Sequence, residues 1–207
     1  MNIIAGIDEA GRGSVIGPMV IAGIIIEDVN TLLNISIKDS KKLSPRKREI
    51  VFNRIIENVK GYHIEVINAE VIDRKRKYET LNDIEVEAMI NIIEKLKPNI
   101  VQIGSPQNNA KSFIEKITRK IKNIEIISVH NAEDIFPTVA AASILAKVTR
   151  DRIITELKKY YGDFGSGYPS DMKTINFIIN SIRKNQIPNI IRKSWKTFTN
   201  LLSYYNH

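Results

Sequence analysis

The residues best suited to chemistry stand near the start of the chain. In IAGIDEAGRGSVIG, Asp8 and Glu9 close a short apolar run and come directly before glycines. Adjacent side chains on a regular strand point to opposite faces, so both carboxylates serve one site only where the strand ends and the chain turns. Gly11 and Gly13 supply such a turn. Two carboxylates at a strand terminus suit a hard cation such as Mg²⁺, which prefers oxygen ligands and keeps several waters. An acidic pair at a surface turn is the competing reading of these two residues taken alone. A second acidic pair, Glu133 and Asp134, lies in HNAEDIFP, before a long helical stretch. Either one of them joins the first pair, or both only favour the helix N-terminus through its macrodipole.

Around these acids are groups that could hold an anionic substrate. The loop GRGSVIG offers unobstructed backbone amides and Arg12, a side chain suited to phosphate. It is not a Walker loop, because no GKS or GKT follows. Nor is it a dinucleotide fingerprint, since VIGPMV reads as a strand and not as the opening of a helix. Lys38, Lys41, Lys42, Arg46, Lys47 and Arg48 form a basic cluster that includes DSKKLSP, between a strand and a helix, as binding loops often are. The run Arg74 to Lys77 reads instead as a solvated face. Tyr168 stands in GDFGSGYPSD, where glycines let a ring and the backbone come close to a ligand, although packing is the commoner use of such a tyrosine. Asp171 reads as a helix start. Ser143, inside AAASILA, reads as a close-packing residue, and no spacing supports a serine triad. His63, His130 and His207 form no metal spacing such as HExxH.

The elements that must position these residues alternate between strand and helix. Residues 2–8 and 18–26 read as strands, the second with the β-branched enrichment of a buried one. A short strand at 35–38 precedes a helix in which Ser44 caps, Pro45 takes the first position and Ile50, Val51, Ile55 and Ile56 share a face. Strands follow at 62–69, 100–103 and 124–129, with helices at 80–96, 108–121 and about 137–160. The last fifty residues read as mostly helical. The pattern predicts an α/β protein with helices dominating the end of the chain.

Composition narrows the classes further. The 207 residues are 43% hydrophobic and 26% charged, which argues against a largely disordered chain. Cysteine is absent, which excludes disulfides, zinc–thiolate sites and cysteine nucleophiles and suits a reducing cytoplasm. MNIIAGIDEAG lacks the basic and continuously apolar regions of a signal peptide, and charges interrupt every later window before a membrane span accumulates. The net charge of +8 is the footprint of a protein that meets polyanions.

The motifs IAGIDEAGRGSVIGPMVIAG, DSKKLSP, AAASILAKVTRD, GSGYPSD and IRKSWKTF occur in this order from Ile3 to about Phe198. Together they resemble ribonuclease HII, most closely its archaeal branch. The resemblance implies a ribonuclease H-like core, a central mixed β-sheet flanked by helices over residues 1–161, with a helical C-terminal portion over 162–207 packed on it. It implies an endonuclease that cleaves the RNA strand of RNA/DNA hybrids and cuts at ribonucleotides embedded in duplex DNA, with a role in DNA replication and repair. The expected cofactor is Mg²⁺ or Mn²⁺, and the expected state a cytoplasmic monomer without membrane contact. The family's centre is a set of four carboxylates. Asp8 and Glu9 match the first two, and Glu133 falls where an aspartate is usual. In VQIGSPQNN the place of the remaining one is taken by Gly104, which weakens one metal site; Asp134 compensates by charge, or Ser105 or Asn108 substitutes. The resemblance assigns ribose recognition to Gly11, Arg12 and Gly13 with Tyr168. Lys41, Lys42, Arg46 and Lys147 are the expected phosphate contacts. A homologue that binds hybrid or junction duplexes without cutting them is the alternative that Gly104 raises.

Overall fold

The computed structural model describes residues 2–33, 35, 44–104 and 110–205. Its strands are β1 (Ile4–Ala10), β2 (Met19–Ile26), β3 (Gly61–Ile67), β4 (Ile100–Gly104) and β5 (Glu125–Val129). They form one five-stranded sheet in the order β3-β2-β1-β4-β5. β1, β4 and β5 run parallel, with Ile7 opposite Ile103 and Gly104 opposite Val129. All eight residues of β2 are buried, as a strand covered on both faces requires, and this accounts for its unbroken apolar run. β1 is buried from Ala5 to Ile7 and opens at Asp8 and Glu9. The acids therefore stand at the carboxyl end of a central strand, where ligands of open α/β sheets bind.

The helices are α1 (Asn30–Leu33), α2 (Pro45–Asn58), α3 (Ala69–Lys75), α4 (Leu81–Leu96), α5 (Ala110–Lys120), α6 (Ala132–Ile135), α7 (Pro137–Tyr161), α8 (Met172–Arg183) and α9 (Lys196–Tyr205). α2 begins as its sequence requires, with the Ser44 hydroxyl accepting from the Lys47 amide and Pro45 in the first turn. The strand expected to reach residue 69 ends at Ile67. Asn68 is extended at φ −65°, ψ 154°, and Ala69 opens α3, whose buried Ala69 and Ile72 follow helical spacing. Of the strand expected at 35–38, only Ile35 lies among the described residues, buried in a turn after α1.

The chain forms two compact units. One comprises residues 1–10, 21–65 and 85–148; the other comprises 11–20, 66–84 and 149–207. In the first unit, Gly6 lets α7 press against β1: a β-carbon there would overlap the backbone of Thr138 and Val139. The Thr138 hydroxyl donates to Gln102 Oε1 of β4 at 2.5 Å, fixing the start of α7 over the sheet. The small residues Ala140, Ala141 and Ala142 are buried at that approach. The second unit has its own core of Val15, Ile16, Ile154, Phe164, Ile178, Ile182, Ile191 and Phe198, which gathers the apolar faces of α8 and α9. Two arginines, Arg150 and Arg192, are buried in it.

Candidate active site

The carboxylate centre belongs to the first unit. Gly6 and Asp8 share a face of β1, and Gly6 is where α7 makes its closest approach. Ser143, about one helical turn beyond Val139, reaches the Asp8 carboxylate with a hydrogen bond. Burial above all, then the charge of Glu9, lifts the Asp8 carboxyl well above its ordinary range, with a smaller push from Glu133. The hydrogen bonds from Ser143 and from the Glu9 backbone oppose the rise. Asp8 thus feels the charge of both Glu9 and Glu133. Glu133 is half-buried, whereas Asp134 is exposed and is not among the groups that act on Asp8.

The donor chemistry fits a hard divalent cation. Ionising a buried carboxyl beside two others is costly until a cation neutralises them, and oxygen is the only donor type in the set. Among the described residues no three acidic or histidine side chains close around one ligating point. Such a cage is not required, since Mg²⁺ is commonly held by one or two carboxylates with waters and substrate phosphates. Gly104 ends β4 beside β1, and a β-carbon at that position would lie 3.9 Å from Asp8 Oδ1. The missing carboxylate would therefore have stood against Asp8. Ser105 and Asn108, considered as its substitutes, lie outside the described residues.

The glycine loop belongs to the second unit. Gly11 and Gly17 have φ of 79° and 87°, which side-chain-bearing residues rarely adopt. Arg192 donates from Nε to the Gly17 carbonyl at 3.0 Å, from Nη1 to Arg12 at 3.0 Å and from Nη2 to Gly11 at 2.8 Å. Its guanidinium also lies over the Trp195 ring, 4.7 Å from the centroid. Ser14 donates to the Gly11 carbonyl at 2.8 Å. Gly13 is exposed, with nothing within 4 Å of the place a β-carbon would take. Arg12 donates to Asn82 Oδ1 at 2.5 Å. The Val15 and Ile16 amides both donate to the Gly167 carbonyl, at 2.8 and 3.0 Å, which joins this turn to the segment carrying Tyr168. Tyr168 is half-buried under the Arg150 guanidinium, 4.8 Å from its ring centroid.

Of the remaining expected contacts, Arg46 is exposed on α2 and Lys147 half-buried on α7, while Lys41 and Lys42 lie outside the described residues. Asp171 is a helix start as expected: it caps α8 by accepting from the Lys173 amide, and its Oδ2 also accepts from Ser166. Three residues of evident importance carry no signal of it in the sequence reading. Ser143 looks like one more small residue in an apolar helix, and Arg150 and Arg192 look like ordinary surface charges. The only available hint was their place inside the quoted motifs.

A mixed sheet flanked by helices, with clustered carboxylates at the end of its central strand and a helical C-terminal part, defines a ribonuclease H-like protein. Residues 5–198 match the Ribonuclease HII family. The Ribonuclease HII of Methanosarcina barkeri is 43% identical over 212 residues, covering 96% of this chain and 95% of that one. The crystal structure of ribonuclease H2 from Pyrococcus horikoshii superposes with a TM-score of 0.91 at 35% identity, covering 99% of both chains. RNase HII in its PCNA complex from Archaeoglobus fulgidus gives 0.89 at 39% identity, covering 94% of this chain and 95% of that one. The chain belongs to the ribonuclease HII family, endoribonucleases that act on RNA/DNA hybrids.

Proposed function

We propose that this chain is a divalent-metal-dependent endonuclease that cuts the RNA strand of hybrids and also single ribonucleotides embedded in duplex DNA, leaving 3′-hydroxyl and 5′-phosphate ends. The observation that carries the reading is the placement of Asp8 and Glu9 where buried β1 opens at its carboxyl end, with Glu133 near enough to act on Asp8, an arrangement of oxygen donors that suits a divalent cation. Asp8, Glu9 and Glu133 would hold Mg²⁺ or Mn²⁺. When bound, the metal supplies Lewis-acid polarisation of the phosphodiester and an activated water. Ser143 orients the Asp8 carboxylate, and Asp134 adds negative charge beside Glu133. Gly11, Arg12 and Gly13, with Tyr168, read the ribose 2′-hydroxyl, the group that separates RNA from DNA. Lys41, Lys42, Arg46 and Lys147 take phosphates. In-line attack of water needs no covalent enzyme intermediate. The chain works as a cytoplasmic monomer on DNA under replication or repair.

Gly104 favours a second reading, a homologue that binds such duplexes with weakened cutting. Its place against Asp8 means that one expected ligand is missing beside the central carboxylate. The two readings separate on a duplex containing one ribonucleotide, titrated with Mg²⁺ and Mn²⁺. Cutting by the natural chain at a rate within about tenfold of Gly104→Asp supports the enzyme. Tight binding without cutting, with cutting restored in Gly104→Asp, establishes the impaired homologue.

A further inference from the structure

We infer that Arg192, with Arg150 beside it, is a positioning residue for ribonucleotide recognition: the two buried guanidiniums hold the Gly11–Gly17 turn and the Tyr168 segment in the one shape that reads a ribose. The inference rests on the assignment of that turn to the 2′-hydroxyl.

Three carbonyls, those of Gly11, Arg12 and Gly17, converge on one buried side of the turn. Gly11 also accepts from the Ser14 hydroxyl, but with no cationic donor between them the three dipoles would repel one another in a buried space. The planar fork of Arg192 satisfies all three at 2.8–3.0 Å. Its own backbone is fastened as well, since the Arg192 amide donates to the Val15 carbonyl at 2.8 Å. With the carbonyls turned inward, the exposed edge at Gly13 is left to the ligand. Arg150 makes the second connection. Its Nη2 donates to the carbonyls of Ile16 and Ser166, both at 3.3 Å, and its guanidinium covers Tyr168. A β-carbon at Gly11 would overlap the Arg150 side chain, so the turn is seated directly on it.

Neither arginine makes a short ion pair with a carboxylate among the described residues, and Arg150 Nε has no hydrogen-bond partner there. Two buried cations answered by backbone dipoles are a costly way to hold a loop for stability alone, which the apolar core already serves. What they provide is a fixed turn with a positive field behind it. Lysine at position 192 keeps the charge but lacks the fork, so at least one carbonyl is left without its donor.

The test compares two duplexes that differ in a single nucleotide, ribo or deoxy, binding to the full chain in an Asp8→Asn background that leaves both uncut. The parent should prefer the ribonucleotide. Arg192→Lys should lose about tenfold of that preference, while its affinity for the all-DNA duplex stays within about twofold. An unchanged preference in a folded Arg192→Lys overturns the inference alone, as does an equal loss of both affinities. No preference in the parent overturns the inference together with the assigned role of the turn. Should Arg192→Lys fail to fold, as judged by circular dichroism, Arg150→Lys and Trp195→Leu loosen the same cluster from its other sides. Reduced preference in either supports the inference, and retained preference in both overturns it.

Discussion

In the proposed function the Asp8 carboxyl is the residue on which the chemistry turns, and Ser143, its hydrogen-bond donor, tunes it. The serine hydrogen bond favours the ionised form against burial and against the charge of Glu9. Removing it lets the Asp8 carboxyl rise further. Ser143→Ala should therefore move the acid limb of the pH–rate profile to higher pH and raise the metal concentration needed for half-maximal activity, by about tenfold or more, as is usual when a partner of a metal-binding carboxylate is lost. A profile and metal titration that coincide with those of the natural chain would remove Ser143 from the site. At this scale the sequence shows the acids but not their helper. Asp8 and Glu9 stand out because charge ends an apolar run before glycines. Ser143 does not, because which face of a small-residue helix meets a strand depends on a close approach made possible by Gly6, far away in the chain.

At the scale of elements, that approach is the joint most sensitive to size. Gly6→Ala places a methyl group against the α7 backbone, which is not the movable end of a side chain. The cost should be at least about 3 kcal/mol, at the upper end for overpacking, and equilibrium denaturation would show it. The segment 163–171 is held in a different way. Asp171 accepts from the Ser166 and Lys173 amides, which holds its carboxyl below the ordinary range, and Asp163 is held lower still by Lys173 and Lys158. A depressed folded-state value gives stability that is present above the unfolded carboxylate range, roughly pH 4, and is lost as pH falls through the folded value. Asp171→Ala should thus melt earlier than the natural chain at neutral pH, and the gap should close in acid. A gap independent of pH would contradict this account of the cap. Most elements were legible from periodicity: β2 from its continuous apolar run, α2 from Ser44 and Pro45. α3 was not, because the alternating pattern of β3 runs on into Ala69 and only the backbone at Asn68 shows where the strand stops.

For the whole molecule, the net charge of +8 and the family membership together describe a protein that meets a phosphate backbone. Duplex affinity should fall steeply with salt, and replacing Lys41 and Lys42 together by alanine should flatten the log–log slope by about 2 while leaving the ribonucleotide preference intact. An unchanged slope would assign those lysines to solvent. The division of labour was only partly readable at this scale. Composition gave the polyanion and the ordered motifs gave the family, but buried Arg150 and Arg192 look in sequence like two more positive charges. Their burial becomes intelligible only once the carbonyls of a turn more than a hundred residues away are seen to need them. The central claim is that the acids around Asp8 cut at ribonucleotides with a divalent cation. It is tested most directly by the single-turnover rate on a duplex with one ribonucleotide, for the natural chain and Asp8→Asn, with Mn²⁺ and with chelator. Cutting that needs metal and falls by about a thousandfold or more in Asp8→Asn is the expected result. Cutting that survives the chelator, or that Asp8→Asn performs at the natural rate, would contradict it.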